Sequence, residues 1–428
     1  MLRPLLVWSR SACLTAACAC LLVSSAAAEW RGREVVENGE LHVKNPSTPA
    51  GPELTLELEE MWTIGGDSDA DGEFFGLITD IAIHPSGEIY LVDTQLSEVK
   101  VFTRDGEYLR TIGREGEGPG EFRRPRALLF DPDGNVGVVQ SRPSRVVMLT
   151  ADGVPAEPLA LPNPDDGGFR ALQDGAFRGG SMVLLGRNFR RLDNALERTS
   201  ALVRVDQNGN EIARYHHDSS VINMANPIVE EEGFDFPWTV APNGNVYASL
   251  DRTYRVHVWG PDGGVERVIH VDYEPLLRTD SQIEERKEEL ASRIRFRGRR
   301  GGMGLKFDIS DRERDIEWLE VAEDGHLWVL SSRGVHDLPT GVIGHFDIFD
   351  SDGHLLQRVT LKGDADFKED RLVMAGNRLF VIKQFEAAAR AMAGAEVEME
   401  EEFEEEPEPM SVVCYRLDWS PARAVAAP

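Results

Sequence analysis

"GREGEGPGEFRRPRALLFDPDGNV", which begins at Gly113 and ends at Val136, joins a glycine-rich loop to an apolar run and an Asp-Gly turn. It can be read as a phosphate cradle, a metal loop or a connector between structural units. A second copy decides between them. "IGREGEGPGEF" from Ile112 lies over "IGGDSDADGEF" from Ile64 without a gap, so that Ile64 matches Ile112, Gly72 matches Gly120, Glu73 matches Glu121 and Phe74 matches Phe122. Each copy runs into an apolar strand and a turn, "DIAIHPSGEIYLVD" after the first and "ALLFDPDGNVGVVQ" after the second. A phosphate loop has no need to recur in this way, and the stretch reads as a connector between repeats.

The turns extend the period. One series falls at Ser86-Gly87, Asp133-Gly134, Gly179-Gly180, Asn243-Gly244, Asp324-Gly325 and Gly376-Asn377; a second falls at Asp105-Gly106, Asp152-Gly153, Asn208-Gly209, Asp262-Gly263 and Asp352-Gly353. The second follows the first by 19 residues in three units and by 28 or 29 in two, a spacing that leaves room for one hairpin. Tight hairpin turns need positive φ, which these residues tolerate. The segments between them, such as "EIYLVD", "VKVF", "VHVW" and "HLWVL", are β-branched and aromatic. The pattern predicts an all-β, six-bladed β-propeller of four-stranded antiparallel blades.

Six first turns and five second turns leave the last blade one strand short. "LTLELEEMWTIGG" from Leu54 supplies it, so the N-terminus closes the ring and removes exposed edges. The expected division is a signal peptide over 1–28, a linker or small hairpin over 29–53, the propeller over 54–419 and a tail over 420–428. Within the propeller, a helical insertion between blades 4 and 5 covers 275–314 and an acidic loop covers 385–410. The unit "LVDTQLSEVKVFTRDGEYLRTIGREGEGPGEFRRP" resembles NHL-type repeats and the related bacterial six-bladed propellers of the TolB-like superfamily. Asp93, the run from Val99 to Phe102, and Gly106 carry the resemblance; Asp251 with Arg255 to Trp259 is a looser copy. Such propellers include lyases, lactonase-like enzymes and pure binding platforms, so the resemblance implies a fold more than a function.

The chain has 428 residues, 46 Lys+Arg against 74 Asp+Glu and a formal net charge of −28. This excludes a general nucleic-acid binder, which needs a basic face for phosphates. Arg3 and Arg10, the apolar run 11–23 and Ala26-Ala27-Ala28 make an export signal whose apolar stretch is short for a membrane span. A secreted or periplasmic protein is expected, with no membrane span after signal removal. Thr15-Ala16-Ala17-Cys18 matches a lipoprotein box poorly, because Thr stands where an aliphatic residue is usual. Cys13, Cys18 and Cys20 lie in the signal, leaving Cys414 alone, so burial and sheet closure must hold the fold.

Long insertions fall at 186–200, 216–234, 274–314, 332–340 and 385–410, all on one face of an up-and-down propeller. Irregular loops on a rigid scaffold are where binding concentrates. Ser281 and Glu284 read as a capping box for a helix bearing Ile283, Leu290 and Ile294 on one stripe. Asp80, Arg126, Arg142, Trp238, Arg252, Trp318, Arg333 and Arg371 fall at strand mouths on this face. Arg beside Trp is a vocabulary for anions through bidentate hydrogen bonds and stacking, although the same arginines could be inter-blade struts. "DSDADG" imitates half of a calcium loop through Asp69 and its neighbours Asp67 and Asp71, but Ile78 stands where the bidentate Glu belongs. Calcium is the only cofactor suggested. The reading is a non-catalytic exported module for an anionic glycan, a carboxylate or an acidic protein segment. A metal-assisted hydrolase or lyase on the same fold is the alternative.

Overall fold

The computed structural model describes residues 30–159, 161–162, 168–225, 227–231, 236–295, 306–394 and 408–419. The expected signal peptide, most of the acidic run and the C-terminal tail lie outside the described residues. No helix among them is long and apolar enough to cross a membrane.

Six blades surround a central channel lined by their first strands: Ile78–Ile83, Pro125–Phe130, Ala171–Arg178, Trp238–Val240, Ile316–Val321 and Arg371–Ala375. Each blade is antiparallel from its first strand outward, except where N-terminal strands add to blades 4 and 5 in parallel. Blade 2 pairs three strands, with its fourth reduced to the bridges Val146–Leu159 and Leu149–Pro155. Six apolar clusters fill the fold, one between each pair of neighbouring blades. A blade therefore buries both faces. This is why "IYLVD" and "LWVLS" are buried at every position rather than alternately.

The N-terminus does more than close the ring. It forms four strands: β1 (Arg33–Glu37), β2 (Glu40–Asn45), β3 (Leu54–Glu57) and β4 (Glu59–Gly65). β4 is the outer strand of blade 6, pairing antiparallel with Ser411–Arg416 as the turn count requires. β3 instead adds to blade 5 and the β1–β2 hairpin to blade 4, both in parallel. The stretch read as one closing strand is thus divided between two blades at Leu58. Asn45, 4% exposed, joins this N-terminal stretch, a strap across the outer edges, to blades 4 and 5. Its amide donates to the carbonyls of His270 (3.0 Å) and Gly353 (2.9 Å), and its oxygen accepts from the amide of Leu355 (2.8 Å).

The glycine loops are connectors. Gly113 (φ +74°) packs against the edge of the Phe122 ring, which a Cβ would meet at 2.3 Å. Gly65 (φ +83°) packs on Phe75 in the same way, at 2.6 Å. The gapless match of Phe74 to Phe122 is therefore one residue off: Phe75 is the buried equivalent, and Phe74 is 73% exposed.

The thick face carries α1 (Asp280–Arg295), α2 (Ser332–Val335) and α3 (Phe385–Gly394). The helix expected in the insertion is α1, but its cap lies two residues earlier. Thr279 and Gln282 form a reciprocal pair, amide to Oε1 at 2.8 Å and amide to Oγ1 at 3.3 Å. Two expected loops are strands. Residues 186–191, 195–200 and 216–223 continue the hairpins of blade 3 as a projecting three-stranded arm, so His216 and His217 stand in a strand.

Candidate functional site

Four of the six inner strands carry a β-bulge near their start, in blades 1, 2, 3 and 5. The extra residue is Thr79, Arg126, Gln173 or Glu317, and a bulge re-aims the side chains that follow it. Asp80 and Asp174 occupy the position after the bulge, and each carboxylate accepts the next amide, Ile81 at 2.9 Å and Gly175 at 2.8 Å. Asp80 also accepts the Leu128 amide of blade 2 at 2.8 Å.

These groups share one electrostatic environment in the channel. Asp174 keeps some contact with solvent but is enclosed by protein. Burial and then the charge of Asp80 push its carboxyl up to about 6, against the Gly175 amide, Arg371 and Arg126. Burial likewise raises Asp80, opposed by the Leu128 amide and Arg371. A second charged group lies near the tight-turn end. Burial pushes Glu320 up to about 7, although Thr239 Oγ1 donates to it at 2.7 Å and Arg178 Nη1 at 3.2 Å. Arg178 also binds the carbonyls of Val240 (3.2 Å) and Val321 (2.6 Å) and the carboxylate of Glu323 (2.7 Å), which ties blades 3, 4 and 5 together.

The arginines expected at the rim divide into two kinds. Arg371 is exposed, its guanidinium 5.1 Å from the Phe385 ring that begins α3, and it makes no ion pair among the described residues. Arg142 is exposed over Phe189 at 5.4 Å. Arg126 is exposed at the mouth of blade 2. Arg252 and Arg333 hold loop segments in place. Arg252 donates to Glu231 (2.7 Å) and to the Arg312 carbonyl (2.8 Å). The Glu231 side chain, 4% exposed, also takes Arg278 (2.7 Å) and Arg286 (3.1 Å) of the α1 segment. Burial works to raise the Glu231 carboxyl, but the three arginines hold it below its usual range. Arg333 is turned to Glu274, donating to its carbonyl at 2.5 Å and pairing with its carboxylate at 3.3 Å.

Trp238 and Trp318 are half-buried packing residues. Trp318 meets Phe346 edge-on at 5.8 Å, and Trp238 lies against the cluster between blades 3 and 4. Asp67, Asp69 and Asp71 are exposed around a turn. Among the described residues, the one grouping of three His, Cys, Asp or Glu side chains close enough to share an ion is elsewhere, at Asp350, Asp352 and His354. There Asp350 accepts the amides of Asp352 and His354, as a turn-forming aspartate does.

Sequence reading missed Asp174, Arg178, Glu231 and Glu320. A signal for Asp174 exists: "TDIA" from Thr79 and "QDGA" from Gln173 place Asp80 and Asp174 at matching points of two inner strands.

A family model described as a 6-bladed beta-propeller matches residues 71–162. A search of curated proteins returns no match. Among solved structures, the chain is similar to virginiamycin B lyase from Staphylococcus aureus, at 11% identity over 75% of this chain and 80% of that one, TM-score 0.39. It is similar to a gluconolactonase from Xanthomonas campestris, at 11% identity over 84% and 98%, TM-score 0.41. It is also similar to a candidate exported protein from Bacteroides fragilis, at 12% identity over 86% and 99%, TM-score 0.46. The fold of this chain is a six-bladed β-propeller.

Proposed function

We propose that the protein is an exported binding module whose channel mouth, on the loop-rich face, takes an anionic ligand: a carboxylate, an acidic glycan or an acidic protein segment. The observation that carries this is Arg371, exposed and held on the Phe385 ring rather than by a carboxylate partner among the described residues. A guanidinium stacked in this way keeps its hydrogen-bonding edge for bidentate capture of a carboxylate. Arg126 and Arg371 both favour the ionised form of Asp174, which supports reading the two cations as parts of one site. Export rests on the charged, apolar and small-residue pattern of residues 1–28.

A second reading, catalysis on the same scaffold, is favoured by one observation: Asp174 titrates near 6 beside a second carboxyl, within range for general acid–base work. One experiment serves both. Binding of polygalacturonate and poly-glutamate is measured by calorimetry at two salt concentrations. Arg126→Ala with Arg371→Ala should weaken binding at least about tenfold with an unchanged melting temperature, and salt should weaken the wild type. Unaltered affinity in the double variant sinks the binding reading. If wild-type protein also degrades the polymer and Asp174→Asn stops this while still binding, the catalytic reading replaces it.

A further inference from the structure

Away from the channel, blades 4 and 5 separate into a cleft of about 520 Å³ on the strap side, adjoining a smaller cavity of about 250 Å³ with which it shares Val271 and Tyr273. The larger volume falls within the range of small-ligand sites. The strap itself makes one wall. Arg358 donates to the Ser47 carbonyl at 3.3 Å and pairs with Glu53 at 3.5 Å, both in the stretch between β2 and β3.

The lining is neither apolar nor of one charge. Arg333 and Arg358 face Asp272 and Glu274, so groups of both signs line the cleft. Arg358 is further balanced by buried Asp347, which accepts its Nε at 2.8 Å. Burial and then Arg358 lower the pKa of His345, so its imidazole is neutral at neutral pH. Nδ1 of His345 is engaged by Thr360 Oγ1 at 2.7 Å, which leaves Nε2 for a ligand. Tyr273 adds an aromatic wall, held at its hydroxyl by Ser332 Oγ (2.8 Å) and the Arg333 amide (2.9 Å).

A free anion or cation meets both signs here and gains little. An apolar ligand would strip water from four charged groups without repayment. Vicinal hydroxyls satisfy both kinds of partner at once, donating to carboxylates and accepting from guanidinium and imidazole, while a sugar ring lies on the tyrosine. We propose that this cleft is a binding site for a neutral mono- or disaccharide, distinct from the anion site at the channel mouth.

The test is saturation-transfer NMR on the mature protein with glucose, galactose, mannose, N-acetylglucosamine, maltose and cellobiose. At least one should receive saturation, and added salt should not reduce the effect, because the sugars carry no charge to be screened. His345→Ala and the exposed Asp272→Ala should each weaken that sugar by about tenfold. Arg126→Ala with Arg371→Ala should leave it unchanged, so failure here and failure at the mouth are told apart. Transfer to none of the six sugars, or equal transfer in wild type and both cleft variants, overturns the proposal.

Discussion

Glu320 is a carboxyl that the native state keeps half protonated at neutral pH, since burial pushes it up to about 7 from an ordinary value of 4.5. Between those values the folded protein holds a proton that the unfolded chain has released. The stability contributed by this group is therefore greatest at low pH and falls as pH rises through the window. Glutamine cannot ionise and still accepts the Thr239 hydroxyl. The melting-temperature difference, Glu320→Gln minus wild type, should grow from about pH 4.5 to about pH 7 and then level off. A difference independent of pH would show that Glu320 titrates in the fold as it does in the unfolded chain. Little of this was legible, because in "IEWLEV" Glu320 is an ordinary strand glutamate and only the curvature of six blades walls it in. Asp93 is the reverse case. It stands out as a repeat residue, yet it is fully buried and accepts the amides of Gly76 (2.7 Å), Leu77 (3.1 Å), Gln95 (3.0 Å) and Leu96 (2.9 Å), a purely structural task.

Among elements, hairpins were legible and additions to sheet edges were not. A tight turn leaves a glycine signature, but β2 and β3 join blades 4 and 5 in parallel with no turn between partners, so nothing local marks the pairing. The arm of blade 3 was hidden for another reason. Beyond the blade body neither of its faces meets a core, so "RNFRRLDNALERTS" has no apolar alternation to read. The strap also brings two histidines together, His42 Nδ1 and His270 Nε2 at 2.8 Å. Lys44, Arg255 and Glu37 face the pair. Burial, and then His42, lowers His270 to about 4 from 6.5. The unfolded chain takes up this proton first, so stability is lost as pH falls from 6.5 towards 4. His270→Gln should lower stability at pH 7, where the hydrogen bond is lost, yet lose less on acidification than wild type. Parallel pH–melting curves for the two proteins would refute a role for the pair.

For the whole molecule, ring closure is the property that the sequence placed correctly and the strap extends. A propeller distributes stability over its blade interfaces, and the joint between blades 6 and 1 is the one completed by a strand from the far end of the chain. Starting the chain at Pro46 removes β1 and β2, and starting at Glu59 removes β3 as well. Both truncations strip edge additions from blades that keep four strands of their own. They should lower the melting temperature while leaving one cooperative transition. Starting at Gly66 also removes β4, uncovering the outer edge of Ser411–Arg416 and taking Ile64 from the cluster between blades 6 and 1. Ile64 alone represents about 1.5–3 kcal/mol of burial, and the bared edge invites association. This third truncation should show no sharp transition, or aggregate, by calorimetry and light scattering. If it melts as cooperatively and at the same temperature as the chain starting at Glu59, closure through β4 does not hold the ring.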